Sequence, residues 1–307
     1  MKLVSVVVAT YKREAELKNA LESLAKQTYP NMEIVLVDDN GNDEWNSKVS
    51  ETVEVFRNRY PKIKLECIVN NTNQGSSKTR NIGIHSANGD YITFLDDDDI
   101  YLPDKIRKQV EFMETNQCDY SITDLILYNE DDKKINRRIR SYIKETTVES
   151  LRLYHLKYHM TGTDTIMFKK EYLIQIGGFA PIDVGDEFYL MQRAIEEGGK
   201  FGYLPGCEIK AYVHTGDGGL SSGDGKIKGE NALYEYKKTF FDQLEAGDIR
   251  YIKMRHYAVI AYAELRRKNY VKFISNALKS FLASPCKFFH DIKTVGEAYE
   301  SYCIYFQ

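Results

Sequence analysis

The chain has 307 residues, 43% of them hydrophobic and 28% charged, with a formal net charge of −3. That composition supplies a packed core and excludes a general nucleic-acid binder, which would carry a basic face. The five cysteines are scattered with no C-x-x-C pair, the pattern of reduced thiols in a cytoplasmic protein.

The opening MKLVSVVVATYKRE has an apolar run too short for a signal peptide, and charge returns at Lys12. No stretch approaches the roughly 20 apolar residues that span a bilayer. LVSVVVAT is continuously apolar and β-branched, as expected of a strand covered on both faces. REAELKNALESLAKQT follows with Leu17, Leu21 and Leu24 at helical spacing. MEIVLVDDN is a second buried strand, SETVEVFRNRY a helix, IKLECIVNN a strand, SSKTRNIGIHSA a helix and YITFLDD a fourth strand. This alternation predicts an α/β fold, a mostly parallel Rossmann-like sheet with helices on both sides. Ligands of such sheets lie outside the carboxyl ends of the strands. There the chain is polar four times in succession: Thr10 and Tyr11, Asp38 and Asp39, Asn70 to Gln74, and Asp96 to Asp99.

The middle is less regular. CDYSITDLILY and TDTIMF read as strands, NEDDKKINRRIR as a charged hairpin tip, and EFYLMQRAIEEGG as a helix stopped by glycine. IKAYVHT is a further strand, and GDGGLSSGDGK lacks the G-K-[ST] ending of a P-loop, so it reads as a mobile loop. A boundary near Gly225 separates residues 1–225, the α/β region, from 226–307, a helical extension.

The sharpest feature is Asp96 to Asp99, four carboxylates at the end of a buried strand. Two ionised carboxylates about 5 Å apart repel by roughly 3 kcal/mol at an effective dielectric of about 20. A divalent cation reverses that cost, and all-oxygen ligands suit Mg²⁺ or Mn²⁺, which complete their shells with substrate phosphates. A solvated acidic turn ahead of the helix LPDKIRKQVEFM is the plainer alternative.

SVVVATYKREAELKNALESLAKQTYPNMEIVLVDDNGND resembles the opening of family 2 glycosyltransferases, nucleotide-sugar-dependent enzymes of the GT-A fold. The likeness continues through NQGSSKTRNIGIHSANGDYITFLDDDD, MFKKEYLIQIGGF and GDEFYLMQRAIEEGG, about residues 3 to 215 in order. The resemblance implies that Thr10 and Tyr11 line the base and that Asp39 accepts a hydrogen bond from the pyrimidine ring. It implies that Arg80 and Asn81 lie near base and donor sugar, with Lys78 and Arg80 offsetting phosphate charge, and that Gly178 shapes the sugar pocket. The Asp-x-Asp element maps onto Asp96 and Asp98: Asp98 is the expected metal ligand, Asp96 its partner, and Asp97 the variable position lining the donor. His214 falls where relatives contact the metal or diphosphate. GDEFYLMQR matches the family's G-E-D-x-x-L-x-x-R element with the acids inverted, which puts Glu187 at the catalytic-base position and Asp186 before it.

The implied reaction is inverting transfer of a sugar from a nucleotide diphosphate donor, UDP first, with Mn²⁺ or Mg²⁺. The acceptor would be a hydroxyl of a glycan or lipid-linked glycan at the inner face of the cell membrane, in polysaccharide synthesis. Two other classes share some of these features. A nucleotidyltransferase would show a glycine-rich basic loop after the first strand, where this chain has TYKREAEL. A non-catalytic nucleotide-sugar binder is disfavoured by the retained Asp186-Glu187 pair. In the tail, Asn269 to Lys293 interleaves aromatic and aliphatic residues with Lys272, Lys279, Lys287 and Lys293 against one acid, Asp291. Such a segment either lies on an anionic membrane surface or packs as an ordinary amphipathic helix on the catalytic region or a second subunit, and the residues leave both open.

Overall fold

The computed structural model describes residues 1–182, 185–213 and 223–288. It divides into two compact units. The first holds Met1–Arg152, Met160–Ile182 and Asp186–Tyr212; the second, among the described residues, holds Leu153–His159 and the helices from Gly223 onward.

The first unit opens with the predicted alternation: β1 (Val4–Thr10), α1 (Ala15–Ala25), β2 (Met32–Asp38), α2 (Asp43–Arg59), β3 (Lys64–Val69), α3 (Ser76–Ser86) and β4 (Tyr91–Phe94). Then come β5 (Ile100–Tyr101), α4 (Lys105–Asn116), β6 (Tyr120–Thr123), β7 (Leu125–Tyr128), β8 (Lys134–Arg138), α5 (Val148–Tyr158), whose residues from Leu153 belong to the second unit, β9 (Ile166–Lys169) and α6 (Lys170–Gln175). The unit ends with α7 (Asp186–Glu196), β10 (Phe201–Leu204) and β11 (Ile209–Tyr212).

Seven strands form one sheet in the order β10-β6-β9-β4-β1-β2-β3. β1 is interior, pairs in parallel with β2 and β4, and buries Val4, Val6, Val7 and Val8 to 1% exposure or less. Its unbroken apolar run is what burial on both faces demands. β3, at the edge, fully buries only Leu65 and leaves both its ends, Lys64 and Val69, exposed. β9 is the exception to parallel order, running antiparallel to both β4 and β6.

CDYSITDLILY does not form one strand. It splits at Asp124 into β6 of the large sheet and β7 of a second, four-stranded sheet ordered β5-β11-β7-β8. Asp124 holds the corner: its carboxylate accepts from the Arg140 amide at 2.9 Å, the Tyr203 hydroxyl at 2.8 Å and the Gly206 amide at 3.1 Å. The charged hairpin tip is likewise shorter than expected, because Lys134–Arg138 pairs with β7 as β8.

Glu33 on β2 is buried and accepts from the Ser5 hydroxyl at 2.7 Å, the Lys64 ammonium at 2.6 Å and the Asn88 amide at 2.6 Å. Burial alone would raise this carboxyl, but Lys64, Asn88 and Ser5 outweigh it and hold it below the ordinary value. Its contribution to stability is therefore present above the ordinary carboxyl range and lost as pH falls through its lowered folded value.

The second unit contains α8 (Gly223–Lys238), α9 (Ala246–Arg266) and α10 (Tyr270–Ala283). Within it Lys157 pairs with Asp248 at 2.5 Å, and Tyr234 stacks on His256 with ring centres 4.0 Å apart.

Candidate functional site

The carboxyl ends of β1, β2 and β4 converge, as in open α/β sheets generally. Regular pairing of β4 stops at Phe94, so the aspartates occupy the turn that follows rather than the strand. Each has a different neighbour. Asp97 is buried and accepts from the Thr10 hydroxyl at 2.7 Å and the Tyr11 amide at 3.2 Å, which ties the turn to the end of β1. Burial, then Asp98, pushes the Asp97 carboxyl up to about 7. Asp98 pairs with the Arg13 guanidinium at 2.6 Å, and Arg13 also lies 3.3 Å from Asp97.

Asp96 meets Arg80 at 2.7 Å, and the other end of the same guanidinium reaches Asp186 at 2.9 Å. Arg80 is only 12% exposed in its side chain and lies over the Phe179 ring. It therefore joins the aspartate turn to the first residue of α7, 106 residues beyond Arg80 in sequence. Asp186 also accepts from the Ser77 hydroxyl at 3.2 Å, and its other oxygen accepts from the Glu187 amide. Burial is the main cause that raises its carboxyl to about 7; Arg80 opposes the rise. Glu187 follows, half-buried on α7.

Asp164, which precedes β9, is a site residue that the sequence did not disclose. Antiparallel pairing sets Thr93 against Met167; continued past the ladder, the same register sets Asp96 against Asp164. The Asp96 amide donates to the Asp164 carboxylate at 2.7 Å. Carboxylate oxygens of Asp96, Asp99 and Asp164 lie within 4.8 Å of one another. Burial, followed by Asp164, raises Asp96 to about 8 and Asp99 well above the ordinary range. Asp99 also accepts from the Tyr212 amide at 2.7 Å.

Several residues expected to touch a ligand also make structural contacts here. Asp39 spends three of its lone-pair positions on the Asn70 side chain at 2.7 Å and the Gln74 and Gly75 amides at 2.8 and 3.0 Å. It folds the loop between β3 and α3 and keeps one acceptor position. The Thr10 hydroxyl is committed to Asp97, whereas the Tyr11 ring stands 45% exposed. Asn81 clamps the Phe179 backbone: its amide donates to the Phe179 carbonyl and its oxygen accepts from the Phe179 amide, both at 2.8 Å. Lys78 is exposed and stands two residues from Arg80, about 200° around the helix, so α3 does not present the two together. His214 lies outside the described residues.

Gly178 adopts φ +60°, and a Cβ there would sit 2.5 Å from the Asn81 side-chain oxygen. Arg193, two turns into α7, donates to the Gly178 carbonyl. The glycine turn is thus held from α3 and from α7 at once. Gly178→Ala is expected to cost roughly 1–2 kcal/mol from the left-handed backbone alone, plus the displacement of Asn81, read as a lowered urea midpoint.

Residues 5–177 match the family model for Glycosyl transferase family 2. The chain belongs to that family. It is 36% identical over 121 residues to the UDP-Glc:alpha-D-GlcNAc-diphosphoundecaprenol beta-1,3-glucosyltransferase WfaP of Escherichia coli, covering 39% of this chain and 45% of that one. The chain spans about half the length of the first curated relatives it matches, 56% and 44%. Among solved structures it superposes on S. aureus TarS 1-349 in complex with UDP-GlcNAc with a TM-score of 0.59 at 20% identity, over 90% of this chain and 89% of that one. It also superposes on the mannosyltransferase PcManGT of Pyrobaculum calidifontis in complex with GDP-Man and Mn²⁺, with a TM-score of 0.54 at 16% identity, over 98% and 81% of the two chains. These likenesses establish the GT-A fold read from the sequence.

Proposed function

We propose that the chain transfers a sugar from a nucleotide diphosphate donor, a UDP-sugar first, to a hydroxyl of a glycan or lipid-linked glycan, with inversion at the anomeric carbon. The observation that carries this reading is the Arg80 bridge, which brings the aspartate turn and the start of α7 into one site. Family membership supports the chemistry; the donor and acceptor named for WfaP and the UDP-GlcNAc bound by TarS support the substrate class.

The donor set suits a hard divalent cation: carboxylate oxygens only, crowded where burial and like charge disfavour the ionised forms. Asp96 and Asp98 would hold Mn²⁺ or Mg²⁺, with Asp99 and Asp164 adding carboxylates beside them. Asp98 reaches a cation only by giving up Arg13. When bound, the ion offsets the charge that develops on the departing diphosphate.

The chain's own residues supply the rest. Tyr11 offers an exposed ring at the end of β1 for the base, and Asp39 offers its remaining acceptor position to the base edge. Glu187 takes the acceptor proton as general base. Asp186 fixes Arg80 and the first turn of α7, so that Glu187 stands at a constant place relative to the donor. A carboxylate placed this way contributes about 10²–10⁴-fold.

Binding to the folded state raises stability by mass action, about 2.7 kcal/mol at a hundred times the dissociation constant. UDP, TDP and their sugars, each with and without Mn²⁺, are expected to raise the thermal midpoint, most strongly with the metal. No shift with any pyrimidine diphosphate would overturn the reading.

A further inference from the structure

The second unit carries a helix whose apolar side faces the wrong way for a soluble protein. On α10, Tyr270, Val271, Ile274, Leu278 and Leu282 are 60%, 80%, 55%, 57% and 73% exposed. At 100° per residue they form one stripe about 120° wide. The side turned to α9 packs through a serine instead: Ser280 is fully buried and its hydroxyl donates to the Met254 carbonyl at 2.8 Å. Phe273, Asn276 and Ala277 are half-buried on that same side. The stripe and the packed side lie about 140° apart around the helix. An ordinary amphipathic helix buries its apolar stripe against the protein, and this one presents it outward.

Charge is segregated in the same place. From Leu265 to Phe288 there are six basic residues, Arg266, Arg267, Lys268, Lys272, Lys279 and Lys287, and no acidic one, in a chain whose net charge is −3. Lys272 and Lys279 are exposed and flank the stripe on one side. Among the described residues no helix is long and apolar enough to cross a membrane, and α10 has 14 residues.

We infer that α10 lies flat on an anionic membrane surface, with the Ile274–Leu278–Leu282 stripe in the boundary between headgroups and acyl chains and the lysines against anionic headgroups. An outward apolar face with an exposed cationic flank is the composition that such a surface selects; the nearby acid, Glu264, is buried at the end of α9, 3.8 Å from the Lys272 ammonium. Pairing two copies of this face would bring like charges at Lys272 and Lys279 together, which disfavours a second copy as the occupant. The inference stands independently of the donor site, and it would place an enzyme of lipid-linked substrates beside them.

The test is co-sedimentation of the full chain with vesicles of phosphatidylcholine alone and of phosphatidylcholine with roughly one-third phosphatidylglycerol. Partition onto the anionic vesicles is expected to exceed that onto the neutral ones about tenfold and to fall with added salt. The double variant Ile274→Ser, Leu278→Ser should lose about tenfold of that partition, with circular dichroism and the nucleotide-induced thermal shift unchanged. Lys272→Glu with Lys279→Glu leaves the stripe intact and should lose the preference for anionic vesicles. Equal partition of all three proteins would overturn the inference. So would a lipid-free dimer in sedimentation velocity that the Ile274→Ser, Leu278→Ser substitutions dissolve.

Discussion

Arg80→Met is expected to destabilise the folded chain by about 3–5 kcal/mol, the usual cost of removing one partner from a buried ion pair. The guanidinium is shared between Asp96 at 2.7 Å and Asp186 at 2.9 Å, so its loss leaves a buried carboxylate, Asp186, and a half-buried one, Asp96, without their cation. Both are already pushed up, to about 8 and about 7, chiefly by burial and against the pull of Arg80. Without Arg80 they are expected to rise further and to hold their protons above neutral pH. Urea unfolding at pH 7 reads the loss. Adding Asp186→Asn removes one of the stranded charges and should recover part of it. Arg80→Lys is not a conservative control, because one ammonium cannot reproduce the fork that reaches both carboxylates. A loss below about 1 kcal/mol, the range of exposed pairs, would show that the bridge does not hold the site together.

Glu187→Gln is expected to lower the transfer rate by about 10²–10⁴-fold while leaving nucleotide affinity unchanged, since the amide keeps the shape and loses the basicity. Asp186→Asn should behave differently. It releases Arg80 and Ser77, so donor affinity and stability fall together with the rate. If Asp186→Asn instead lost more rate than Glu187→Gln with donor affinity intact, the base would be Asp186. The inverted order of the two acids makes this comparison decisive: position along α7 favours Glu187, whereas the carboxyl raised to about 7 belongs to Asp186.

The strand–helix alternation from β1 to β4 was legible because β1 and β2 are near-continuous buried apolar runs and the first connecting helix carries its own apolar spacing. The aspartate turn was legible as a cluster, because four like charges in a row stand out in any sequence. The assignment of individual aspartates was not. Which carboxylate meets Thr10, Arg13 or Arg80 depends on the turn after Phe94, and side-chain alternation along a strand does not describe a turn. Asp164 was hidden for a different reason. A strand's direction cannot be read from its composition, and only the antiparallel course of β9 brings the residue before that strand to the end of β4. Asn81 and Asp39 show a third limit: the motif identifies the residue, while the backbone it also clamps becomes visible only in the fold.

The most direct measurement is release of nucleotide from a panel of nucleotide diphosphate sugars, with and without Mn²⁺ or Mg²⁺, using the wild-type chain and Glu187→Gln. The predicted result is metal-stimulated release of UDP or TDP from at least one donor, at least about a hundredfold slower in the variant. No release from any pyrimidine donor, or equal release by both proteins, would contradict the assignment of a glycosyltransferase site to Asp96, Asp98 and Glu187.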